Sequence, residues 1–463
     1  MTELHWLSAL EAVKLIKNKK LSPVELTDAL IKRIDKYDKH FNTFISLRPE
    51  QALKEARVAE EGVMKGDALG PLHGIPFGLK DIIDAKGWNT TAHSVLLKDN
   101  VADKDAFVTG KLKEAGAILL GKLSTHEFAL GGPSFDLPWP PARNAWNRKY
   151  FPGGSSSGSG AAVAAGMAVV ATGTDSGGSI RGPASFCGVV GFKPTFGRVP
   201  VWPQSPLMGM EHCGPIARSV RDAAIAFEVM AGGDSRDGSA IQRKAPKVTS
   251  GLERGIKDLR IGFSPDLGVP RVDDDVLKIV SEAKRVFASL GGIVSRTRLD
   301  LREARELSYA ICNPMAARIR SDLGKKAARL SNKVLLTCAN DGAKMSAVDY
   351  LEAEARRTEL RGRMSAFYEK YDLLICPTLA CAPFPVGHSQ PPHWRKSDGE
   401  FMGMATPFDL TGQPAISLPC GFTDHGAPVG LQIVGPYGAD ALVLKAARAF
   451  EKAVKLEKVH PPI

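Results

Sequence analysis

The stretch Gly153-Gly154-Ser155-Ser156-Ser157-Gly158-Ser159-Gly160, followed by Gly173-Thr174-Asp175-Ser176-Gly177-Gly178-Ser179-Ile180-Arg181-Gly182-Pro183, decides the reading of this chain. Two serine-bearing, glycine-rich turns flank a small-residue helix (158–167) and an apolar run (168–175) that reads as a buried strand. Small residues let the backbone turn tightly and approach a ligand closely. A run such as Ser176-Gly177-Gly178-Ser179 can therefore aim successive N–H groups at one point, which is how an oxyanion hole is built. Upstream, Gly74-Ile75-Pro76-Phe77-Gly78-Leu79-Lys80-Asp81 sets a lysine in an apolar run, where its ammonium is poorly hydrated. Two serines and one buried lysine suffice for acyl transfer through a covalent intermediate.

Outward from this core the pattern alternates. Ser8-x-x-Glu11 and Ser22-Pro23-x-Glu25 are capping boxes that open two N-terminal helices. Leu26, Leu30, Ile31 and Ile34 then make an apolar stripe suited to packing on the body or on a partner chain. Short apolar runs at 117–121, 168–175, 259–263, 292–295, 372–376, 415–420 and 430–435 read as strands. Helical segments at 105–114, 273–290, 349–370 and 439–455 lie between or after them, 377–396 reads as an ordered loop, and 232–256 as a polar excursion. Strands buried on both faces and alternating with helices predict an α/β class chain. We expect one domain over 1–463, with an N-terminal helical segment (1–60) and a catalytic core (61–463).

Composition is ordinarily globular, with 44% hydrophobic and 24% charged residues. Seven scattered cysteines without a Cys-x-x-Cys pair argue against a disulfide framework or zinc site and favour a cytoplasmic protein. The N-terminus lacks a basic-then-apolar leader pattern, and no apolar run is long enough to span a bilayer, so no membrane association is expected. The net charge of +11 is spread along the chain without a recognition motif, so nucleic acid is not expected as a partner.

These motifs resemble the amidase signature family of serine hydrolases. The resemblance continues through Phe186-Cys187-Gly188, Gly191-Phe192-Lys193-Pro194-Thr195, Gly197-Arg198-Val199, Thr411-Gly412-Gln413-Pro414-Ala415 and Pro428-Val429-Gly430-Leu431-Gln432, and is weakest between about 245 and 400. It implies a single α/β/α layered fold around a large mixed sheet, and a metal-free, cofactor-free catalytic triad. In that triad Ser179 is the nucleophile, Ser155 the relay after a cis Gly154–Ser155 peptide, and Lys80 the base.

Read residue by residue, the N–H groups of Ser176, Gly177, Gly178 and Ser179 are expected to converge on the oxyanion. Lys80 serves as base only if neutral, so Asp81 and Asp84 are expected to face away from its amine. Gly154 and Ser156 support the first turn, and Asp175 with Arg181 forms a charged pair that locks the second. Phe128, Trp202, Met208 and Met210 are candidate substrate-pocket residues. Gly154-Ser155-Ser156-Ser157-Gly158 also satisfies the Gly-x-Ser-x-Gly pattern with Ser156 as nucleophile, but His212, His388, His393, His425 and His460 lie in no convincing motif. His388 and His393 do not share a helix face, and no metal site is expected.

The substrate expected is a small carboxamide or ureide-like amide, hydrolysed by a stand-alone enzyme that is a homodimer through its N-terminal helices. One class within the family is the glutaminase chain of glutamyl-tRNA amidotransferase. Ser157 stands where that class generally has glycine, and its Tyr-Asp-Gly-x-Arg-Tyr-Gly segment is missing. A non-catalytic scaffold of the same fold is disfavoured by the intact Lys80, Ser155 and Ser179.

Overall fold

The computed structural model describes residues 3–132 and 137–463; Met1 and Thr2, within the stretch read for a leader, lie outside them. The seven apolar runs read as strands and four further segments assemble into one sheet of eleven strands: β1 (Phe44–Leu47), β2 (Pro76–Lys80), β3 (Ile118–Leu123), β4 (Val170–Asp175), β5 (Val190–Lys193), β6 (His212–Ala217), β7 (Arg260–Phe263), β8 (Ile293–Arg296), β9 (Leu373–Pro377), β10 (Ala415–Phe422) and β11 (Pro428–Val434). Their order is β1-β3-β2-β4-β6-β5-β10-β11-β9-β7-β8. Parallel pairs β2–β3, β2–β4, β7–β8 and β7–β9 are joined by antiparallel ones, so the sheet is mixed, as the resemblance implies.

Thirteen helices accompany it among the described residues: α1 (Ala9–Lys17), α2 (Pro23–Phe41), α3 (Pro49–Lys65), α4 (Phe107–Glu114), α5 (Ser157–Ala164), α6 (Arg181–Cys187), α7 (Val220–Met230), α8 (Asp274–Ser289), α9 (Ala304–Leu323), α10 (Lys333–Gly342), α11 (Ala347–Lys370), α12 (Pro407–Leu410) and α13 (Asp440–Val454). Period-2 alternation explains how both faces are covered. Leu373, Ile375, Ile416 and Ile433 share a core with Val276, Phe287, Leu444 and Phe450 of α8 and α13. The alternate positions Leu374, Cys376, Ala415 and Val434 join Leu307 and Ile311 of α9 and Leu360 and Met364 of α11.

Both N-terminal capping boxes form, with Ser8 and Ser22 each exchanging bonds with the glutamate three residues on. The stripe Leu26, Leu30 and Ile34 is buried in the chain's own core, so it is not left over for a partner chain. The 1–60 segment is also not purely helical, because β1 pairs antiparallel with β3 at the sheet edge. No described helix is long and apolar enough to cross a membrane. All seven cysteines are unpaired.

Candidate active site

The site lies where parallel β2 and β4 end and the chain enters α5 and α6. Lys80 is the last residue of β2; its backbone N–H donates to Thr172 Oγ1 of β4 at 3.0 Å. Thr172 and Thr174 share one face by strand alternation, so Thr174 meets the same side chain further along. Lys80 Nζ lies 2.8 Å from Thr174 Oγ1 and 2.8 Å from Ser155 Oγ, with no exposed surface. Burial, opposed by Glu211 and Asp175, lowers the Lys80 amine to about 7. Asp81, next in sequence, turns to the other face and pairs with Lys122 Nζ at 3.2 Å, leaving the Lys80 amine without it, as the sequence predicts.

The Gly154–Ser155 peptide is cis. Gly154 is required here because a Cβ would overlap the His126 ring, while the His126 N–H holds the Ser155 carbonyl at 3.2 Å. Ser156 is fully buried. Its hydroxyl donates to the Thr174 carbonyl and accepts from the Thr174 N–H, both at 3.3 Å, clipping the start of α5 to β4. Both hydrogen-bonding roles of the Ser156 hydroxyl are thus taken up by the Thr174 backbone.

The second turn is organised by Asp175. Its carboxylate accepts the N–H groups of Gly178 (2.5 Å), Ile180 (3.1 Å) and Arg181 (3.3 Å). Arg181 uses all five of its donors. Two go to Asp175 (2.9 and 3.0 Å) and one each to Asp409 (2.7 Å), the Ala405 carbonyl (2.8 Å) and Gln432 (2.7 Å). Against the pull of burial, Arg181 holds Asp175 well below the usual carboxylate range. The expected charged pair is thus a buried network, of which sequence reasoning missed Asp409 and Gln432.

One expected oxyanion donor is corrected. The Gly178 N–H is committed to Asp175, and Gly178 is buried with a φ of +117°, where a Cβ would meet Met402 at 2.7 Å. The N–H groups of Ser176, Gly177 and Ser179 donate to no described residue. Ser155, Ser176, Gly177 and Ser179 line one cavity of about 430 Å³, whose walls also include Tyr309, Cys312, His388, Glu400 and Met402. Glu400 there accepts from Arg305 (3.1 Å) and from the Tyr309 hydroxyl.

None of the four expected pocket residues lines that cavity. Phe128 and Trp202 line a neighbouring one of about 240 Å³, which meets the first at Ala129, Thr174 and Leu207. Trp202 is drawn away by the Arg236 guanidinium 3.7 Å over its ring. Met210 is fully buried in the core beside Leu307 and Ile311, and Met208 is 42% exposed. Of the residues overlooked, only Thr174 carried a signal, its place two after Thr172 on one strand face. Tyr309, Cys312 and Glu400 come from a region without motifs.

A strand-end lysine, a serine after a cis peptide and a glycine turn bearing a second serine define a serine amidohydrolase scaffold. The chain matches the Amidase family over residues 25–444 and belongs to it, an enzyme family that hydrolyses C–N amide bonds. It is 37% identical over 493 residues, covering 100% of this chain and 99% of the relative, to the A chain of the Glutamyl-tRNA(Gln) amidotransferase of Moorella thermoacetica. It is 35% identical over 465 residues, covering 97% of this chain and 96% of the relative, to the acylamidase of Rhodococcus erythropolis. The crystal structure of a bacterial aryl acylamidase of the amidase signature enzymes matches it with a TM-score of 0.90 at 30% identity, covering 99% of each chain.

Proposed function

We propose that this chain is a stand-alone amidase of small, uncharged carboxamides, with Ser179 as nucleophile, Ser155 as relay and Lys80 as base. Ser179 Oγ attacks the amide carbonyl while its proton passes through the Ser155 hydroxyl to the Lys80 lone pair. The N–H groups of Ser176, Gly177 and Ser179 receive the oxyanion. Ser155 then returns a proton to the leaving amine, and water, activated by the same relay, hydrolyses the acyl-enzyme.

The observation that carries the substrate reading is the charge of the cavity wall. No described lining residue is an arginine or lysine, and Glu400 is already held by Arg305 and Tyr309. The α-carboxylate of glutamine therefore finds no cation, whereas an aliphatic or aromatic amide loses nothing. The amidotransferase chain among the relatives favours the opposite reading, a tRNA-coupled glutaminase, so the two are put in one assay. Ammonia release is measured from glutamine and from a panel of simple carboxamides, with and without tRNA and ATP. We expect turnover of carboxamides by the protein alone and a kcat/KM for glutamine lower by about tenfold or more. Strong, tRNA-stimulated glutaminase activity would overturn the reading.

A further inference from the structure

Glu211 stands immediately before β6, which pairs antiparallel with β4 so that Thr174 faces Cys213. Its side chain lines the 240 Å³ cavity among Ile82, Ile83, Val108 and Ile319. It is 8% exposed, it lines that cavity together with Thr174 and Ser205, and its Oε2 is buried with no described hydrogen-bond partner. A carboxyl group removed from water in this way either finds a positive charge or takes up a proton. Thr174, on the wall of the same cavity, accepts from Lys80 Nζ through its hydroxyl at 2.8 Å. Thr174 thus joins the wall that holds the buried acid to the buried amine.

We propose that Glu211 is a positioning residue for Lys80: acting across Thr174, its carboxyl sets the pH at which the amine becomes free to take the Ser155 proton. This rests on the reading of Lys80 as the base. The titratable groups around Lys80 are Glu211 and Cys213 from the β6 side, Asp175 at the end of β4, and His126 from the segment after β3. Glu211 itself is faced by Lys80 and Cys213, with Asp84 on the wall of the same cavity. Asp175 is committed to Arg181. Burial pushes the Cys213 thiol up and brings His126 down to about 3, so both stay neutral. Within this set, Glu211 is the group whose charge can change beside Lys80. Its carboxylate favours the ammonium; without it the amine sheds its proton at lower pH.

The test is the pH profile of kcat/KM on a simple carboxamide. For the wild type an acid limb is expected, with activity rising toward alkaline pH as Lys80 loses its proton near 7. In Glu211→Gln the limb should move down by about half a pH unit or more, with the alkaline plateau kept within about threefold. Glu211→Asp, which restores the charge, should bring the limb back toward the wild-type position. Ser205→Ala removes a hydroxyl that favours the carboxylate from the wall it shares with Glu211, at a partly exposed position; it should move the limb the same way by less, and it decides the matter alone if Glu211→Gln does not fold. Limbs that coincide with the wild type, or a plateau that falls while the limb stays, would overturn the role of Glu211. A wild-type profile without a limb between about pH 5 and 9 would instead remove the base reading of Lys80.

Discussion

Lys80 and Lys122 sit on adjacent parallel strands, both without exposed surface, and have opposite surroundings. The register pairs Leu79 with Lys122, so Lys80 and Lys122 point to opposite faces of the sheet. Asp81 alternates with Lys80 along the chain and so falls to the Lys122 side, 3.2 Å from that amine. Lys80 is left with two hydroxyls at 2.8 Å, those of Ser155 and Thr174. The comparison teaches that strand alternation, not sequence adjacency, decides which buried lysine keeps a counter-ion and which is free to act as a base.

The largest effect expected is at Ser179, the proposed nucleophile. Ser179→Ala should lower amide turnover by at least about 10⁴-fold with the fold unchanged by circular dichroism, because no acyl-enzyme can form. Retention of a tenth of the wild-type rate would remove Ser179 from its role.

Exchanging each lysine for methionine probes the contrast directly. Lys80→Met should abolish activity yet shift stability by less than about 1.5 kcal/mol, since it conserves volume and breaks no ion pair of hydrogen-bond length, and the Glu211 carboxyl left behind can take up a proton. Lys122→Met should do the reverse. It strands the buried Asp81 carboxylate and should cost about 3–5 kcal/mol in chemical denaturation, while the folded fraction keeps its activity. If the two variants behaved alike, the distinction between catalytic and structural lysine would fail.

The smallest effect is a control on the face Lys80 serves. His388 lines the serine cavity but has no place in the proposed proton path, so His388→Ala should leave kcat/KM within about tenfold. A silenced but folded variant would bring imidazole catalysis back.

Much of the site was legible because its chemistry is carried by contiguous segments. Lys80, the Gly154-Ser155 turn and the Asp175 to Arg181 turn each need small residues at fixed neighbouring positions, and such a need is written locally. Amphipathic helices such as α8 and α13 were legible for the same reason, their periodicity being internal. By contrast β1, β2, β5 and β6 were not read as strands, and α9 and α10, which wall the cavity, lie in the stretch without motifs.

The chain by itself determined which residues can do chemistry: two serines on glycine turns, a lysine in an apolar run, and an acid and an arginine bracketing the second turn. Only the tertiary structure decided their company. Asp409 and Gln432 reach Arg181 from 228 and 251 residues away. Asp175 takes the Gly178 N–H, the expected pocket residues go elsewhere, and Glu211 comes to rest on the cavity wall that Thr174 shares. The physical reason is that a buried charge or donor is satisfied by whatever the sheet order brings within about 3 Å, and sheet order is a property of the whole chain.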